Sequence, residues 1–200
     1  MSSSNSTTLK PVAPKALCHV VLITTQANFQ KMVTFYLTVL NATVSHQTDR
    51  MCFLSYDYEH HRIAIVVDDN AHPKDPARPQ VGMHHVAFGF PTLADLADAY
   101  EYRAAAPNGG IKPYWCVNHG VTMSMYYQDP DGNRIEFQVD SFDTADEARA
   151  YMVSPAFVDN PIGVEFDPDE FVRRVRSGTE DEAAIKARPD MGKRDTIVYG

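Results

Sequence analysis

Cys18-His19-Val20-Val21-Leu22-Ile23 and His84-His85-Val86-Ala87-Phe88-Gly89-Phe90 are short apolar runs, each with a histidine in second place and followed by the same order of elements. Such runs, bounded by polar segments, read as strands. After the first, Phe29, Met32, Val33, Tyr36 and Leu40 recur at helical spacing and predict a helix over about 28–40. Strand-like segments follow at about 43–47, 51–56 and 62–67. After the second run, Thr92 is a fitting N-cap for a helix to about 106, with Leu93, Leu96, Ala97 and Tyr100 inward. Pro107-Asn108-Gly109-Gly110 stops it. Strands are expected at about 112–117, 121–128 and 134–139, the last two joined by the turn Asp129-Pro130-Asp131-Gly132-Asn133.

The repetition sets the fold class as α+β, with two βαβββ modules over about 17–68 and 82–140. The polar stretch from 68 to 80, with Pro73, Pro76 and Pro79, cannot continue a strand and reads as the linker. One module alone leaves a face of its curved sheet uncovered, so two must pack together. The expected result is an open, half-closed mixed β-barrel with flanking helices and a cleft inside. Residues 1–16, rich in Ser, Thr and Pro, read as a flexible arm. Residues 141–200 are acidic, carry a helical pattern near 167–176, and read as a C-terminal extension.

Bulk composition narrows the function. Of 200 residues, 44% are hydrophobic and 22% charged, as in a chain with a real core. A net charge of −8 leaves no basic stripe for a nucleic-acid backbone. No apolar run is long enough to span a bilayer, and the N-terminus lacks the apolar core of a signal peptide. Cys18, Cys52 and Cys116 form no paired motif, which fits a reducing compartment, with cytoplasm as the expectation.

His19 and His85 stand 66 residues apart at the same place in each module. Related by a pseudo-two-fold axis, their imidazoles would meet in the cleft. In the last strand, Ile135, Phe137 and Val139 share one face, so Glu136 points to the other. A carboxylate inside a barrel is costly unless paired or bound to metal. Two imidazoles and one carboxylate with open positions suit non-haem iron(II). Aligning Arg62-Ile63-Ala64 with Arg134-Ile135-Glu136 sets Ala64 opposite Glu136, so a fourth protein ligand is missing and room is left for substrate or oxygen.

The strand with His19, the segment Met83-His84-His85-Val86-Ala87-Phe88 and the run from Tyr126 to Phe137 resemble the vicinal-oxygen-chelate (glyoxalase/bleomycin resistance/dioxygenase) superfamily. Within it they look most like type I extradiol catechol dioxygenases in their one-domain form. The resemblance covers about 16–140, and Asn160-Pro161-Ile162-Gly163-Val164 in the tail is also family-like. It implies Fe(II), with Mn(II) as the alternative, a small aromatic diol and O2 as partners, and ring cleavage beside the diol. It further implies that His61 acts as acid–base catalyst near oxygen, and that His119 and Tyr126 hydrogen-bond the diol oxygens. A homo-oligomer is left open. Two rivals remain at this point: another metal-dependent member (glyoxalase, isomerase or lyase), which would need a fourth ligand near Ala64 or basic residues for an anionic substrate, and a metal-free resistance-type binding protein, against which His19, His85 and Glu136 count.

Overall fold

The computed structural model describes residues 11–75, 77–78, 81–105 and 109–194. Most of the expected N-terminal arm, Pro76 and Pro79 of the linker, and Pro107-Asn108 of the helix stop lie outside the described residues.

Each histidine-led run becomes a strand. The first module comprises β1 (Val20–Thr24), α1 (Phe29–Val39), β2 (Thr43–Gln47), β3 (Met51–Ser55) and β4 (Ile63–Val67). The second comprises β5 (His85–Gly89), α2 (Leu93–Ala104), β6 (Trp115–Asn118), β7 (Thr122–Gln128) and β8 (Arg134–Asp140). Thr92 does cap α2, its side chain accepting from the Asp95 amide. The first sheet runs β1-β4-β3-β2 and the second begins β5-β8-β7-β6. In each, the first strand pairs in parallel with the last and the other ladders are antiparallel. The architecture is therefore α+β, two βαβββ modules whose sheets stay open.

The two ladders match rung for rung. Val21 pairs with Ala64, and Phe53 pairs with Ala64 from the other side. In the second sheet Ala87 and Tyr126 flank Glu136 in the same way. Ala64 thus takes the place of Glu136, and His19 stands one step before β1 where His85 opens β5.

The helical spacing of α1 sets Phe29, Met32, Val33, Tyr36 and Val39 into one core with Leu22, Leu54, Ile63 and Ile65. Leu93, Leu96, Ala97 and Tyr100 of α2 join the same core with Tyr127, Ile135 and Phe137. Each large side chain so buried contributes about 1.5–3 kcal/mol. Val20 and Leu22 line one small void with Val86 and Phe88, so β1 and β5 lie side by side. Strand alternation then turns Val21, Ile23, His85 and Ala87 to the opposite face, which Glu136 shares.

The Asp-Pro-Asp-Gly-Asn turn clasps the modules together. Asp129, 5% exposed, accepts from the Asp131 and Asn133 amides at 2.9 and 2.8 Å. Its other oxygen accepts from the Tyr36 hydroxyl of α1 at 3.0 Å, and Asn28 donates to Asp131 at 2.6 Å.

After β8 come α3 (Ala145–Met152), α4 (Pro155–Asp159), β9 (Val164–Glu165), α5 (Pro168–Ser177) and α6 (Glu182–Lys186). The helix expected near 167–176 is α5, which packs on α2 through Phe171 and Val172. β9 adds a fifth strand to the second sheet, antiparallel to β6. Among the described residues no helix is long and apolar enough to cross a membrane.

Candidate active site

Four of the six residues singled out in the sequence meet on one face of the second sheet. Glu136 lies in the middle of β8 and is 4% exposed. Its Oε2 is 2.9 Å from Nε2 of His85, the first residue of β5. Its Oε1 accepts from the hydroxyl of Tyr126, directly across on β7, at 2.8 Å. That hydroxyl is also 2.9 Å from Nε2 of His119, in the turn between β6 and β7. The result is an unbroken line, His85–Glu136–Tyr126–His119.

Burial opposes the charge of Glu136, yet hydrogen bonds from His85 and Tyr126 hold its carboxyl below the ordinary range. Burial pushes His119 below the usual imidazole range, although its contact with the Ile162 carbonyl and the nearby Glu136 charge act the other way. The site therefore presents an ionised carboxylate beside a neutral imidazole.

The other two residues sit together in the first module. His19, exposed, has its ring 4.4 Å from that of His61, which stacks on Phe53 at 4.8 Å. Burial, then the neighbouring His19 and His60, push His61 below the ordinary histidine range. Phe53 holds the register position that Tyr126 holds in the second module, so the two clusters are pseudo-equivalent.

His19 is thus near His61, whereas His85 and Glu136 are in direct contact with each other. Among the described residues no group of three His, Cys, Asp or Glu side chains is gathered in metal-holding geometry. The donor set nevertheless fits a divalent ion in kind. A buried, ionised carboxylate faces an imidazole, the second imidazole stands at the matching register position, and Ala64 leaves the fourth corner without a ligand.

Sequence reading passed over several residues here. Ser124, fully buried, shares the strand face of Tyr126 and donates to the Thr122 hydroxyl at 3.0 Å. Trp115 packs against Tyr126 at 4.9 Å between ring centroids. Counting back two from Tyr126 would have found the first, since i and i−2 share a strand face. Arg188, which reaches the His119 carbonyl from the C-terminal segment, carries no periodic signal, and Asn160 and Ile162 are marked by resemblance alone, with no role attached.

The family model of the Glyoxalase/Bleomycin resistance protein/Dioxygenase superfamily matches residues 16–137. The chain is 42% identical over 186 residues to biphenyl-2,3-diol 1,2-dioxygenase 2 of Rhodococcus globerulus, covering 90% of this chain and 94% of that protein. It is 39% identical over 177 residues to biphenyl-2,3-diol 1,2-dioxygenase 3 of the same organism, covering 88% and 90%. Among solved structures, a glyoxalase/dioxygenase from Nostoc punctiforme superposes with a TM-score of 0.51 at 17% identity, over 66% of this chain and 97% of that one. That likeness concerns the fold alone.

Proposed function

The chain belongs to the glyoxalase/bleomycin resistance protein/dioxygenase superfamily, and from that premise we propose that it cleaves a catechol-type diol of the biphenyl-2,3-diol class with Fe(II) as its metal. It is an extradiol dioxygenase: one ring bond beside the diol breaks and both atoms of O2 enter the product, so no external reductant is consumed. The observation that carries this reading is the line His85–Glu136–Tyr126–His119, which sets a buried carboxylate, a hydroxyl and a neutral imidazole on one sheet face.

His85 and Glu136 would hold the metal, with His19 as the third ligand from the matching position of the first module. Fe(II) bound there supplies a Lewis acid for the diol oxygens and an electron path to dioxygen, a role Mn(II) would also fit. Tyr126 and His119 would bind the diol hydroxyls, and a neutral His119 has a lone pair to take a proton from one of them. His61 would handle the proton at the oxygen end. The exposed Val21, Ile23 and Ala87 on the shared face offer an apolar wall for a second ring. Ala64, standing where a fourth ligand would be, speaks against a lyase or isomerase centre.

The test is oxygen uptake by anaerobically purified, Fe(II)-loaded protein given a panel of mono- and bicyclic catechols. Stoichiometric O2 consumption with a yellow product is expected, faster on 2,3-dihydroxybiphenyl than on catechol. No uptake on any diol of the panel would end the proposal.

A further inference from the structure

The segment 160–163 reaches the active site without belonging to either module. The carbonyl oxygen of Ile162, whose side chain is buried, meets Nδ1 of His119. A carbonyl only accepts, so Nδ1 must carry the proton. A neutral ring then has its bare lone pair on Nε2, an acceptor 2.9 Å from the Tyr126 hydroxyl, whose single proton it shares with Glu136 Oε1.

This carbonyl is aimed by a closed turn. Asn160, 5% exposed, accepts from the Gly163 amide at 2.8 Å and donates back to the Gly163 carbonyl at 3.0 Å. Gly163 has φ 110°, and a Cβ there would collide with the Asn118 carbonyl, so only glycine lets the turn approach β6 this closely. Arg188 then ties the turn to the backbone of the histidine itself. Its guanidinium donates to the carbonyls of Asn160 at 2.6 Å, Ala156 at 2.5 Å and His119 at 3.3 Å. Arg194 adds a bond to the Gly163 carbonyl at 3.0 Å. All these contacts fix the direction in which one carbonyl group points.

We propose that the Asn160-Pro161-Ile162-Gly163 turn is a positioning element that locks His119 as the Nδ1–H tautomer and thereby makes Nε2 the base offered to the diol. Its catalytic consequence rests on the function proposed above, whereas the tautomer is a property of the chain itself. The opposite tautomer would turn a donor toward the Tyr126 hydroxyl and remove the lone pair. Loss of an orienting partner of this kind costs about 10- to 100-fold in activity.

Nitrogen-15 NMR of the His119 ring in the metal-free protein reads the tautomer directly. A pyrrole-type Nδ1 and a pyridine-type Nε2 are expected, and a protonated Nε2 beside a bare Nδ1 overturns the proposal. Asn160→Ala, which opens both bonds of the turn, should shift the ring signals toward a tautomer mixture. With Fe(II) loaded it should lower kcat about 10- to 100-fold, with KM within about threefold and iron content unchanged. Asn160→Ala with the native ring signals and native kcat would also overturn it. If Asn160→Ala does not fold, the spectrum of the native protein decides alone. A native spectrum of the expected tautomer from protein that oxidises no diol refutes the proposed function and leaves the positioning standing.

Discussion

Glu136 is a carboxylate with 4% exposure held by His85 and Tyr126. Glu136→Gln keeps the volume and an acceptor for Tyr126 but removes the charge a metal needs. Metal affinity should fall by more than about 100-fold in a titration, while Tm moves by no more than about 4 °C. Unchanged affinity would remove Glu136 from the ligand set. His61→Ala should retain its metal and lose about 10²- to 10⁴-fold in kcat, the range for a lost general acid–base. Loss of metal instead would make His61 a ligand. As candidates, His19, His85 and Glu136 are readable from the residues alone, because a repeat and a two-residue alternation are physical signals. His61, His119 and Tyr126 become candidates only by resemblance, since a lone histidine or a single strand tyrosine has no period to betray it. The contact of His19 with His61 could not be read at all, because it depends on where two loops end relative to β1 and β4.

At the level of elements, the α1 contact with the β7–β8 turn joins the modules. Tyr36→Phe deletes the hydroxyl that donates to buried Asp129 and leaves the carboxylate one donor short. Urea unfolding should show a loss of about 1–3 kcal/mol with kcat unchanged at low temperature. A loss below about 0.5 kcal/mol, within the range of an ordinary surface substitution, would mean the clasp does not bear on stability. Both helices and most strands lie where periodicity put them. The strand expected over 112–117 is β6, Trp115–Asn118, displaced because Pro113 has no N–H to give a ladder. β9, only two residues long, was beyond any sequence pattern, and composition alone gave no hint that residues after 140 supply a strand to the second sheet and a carbonyl to His119.

For the molecule as a whole, duplication explains both fold and site. Two copies of one module place matching strands side by side, and divergence at the matching positions, Glu136 against Ala64 and Tyr126 against Phe53, makes one half carry the hydrogen-bonded line and leaves the other open. If the metal bridges the two modules through His19 and His85, its binding also stabilises their association. Adding Fe(II) at about 100 times its Kd should raise unfolding free energy by about 2.7 kcal/mol, visible as a higher Tm, and His19→Ala should abolish that increment. A metal that leaves Tm unchanged would argue that the modules do not share it. The central claim is that the protein inserts both atoms of dioxygen into a catechol. Mass spectrometry of the product formed by Fe(II)-loaded protein from 2,3-dihydroxybiphenyl under ¹⁸O2 tests it most directly. The account predicts a ring-opened product carrying two ¹⁸O atoms, and a product carrying one or none would contradict it.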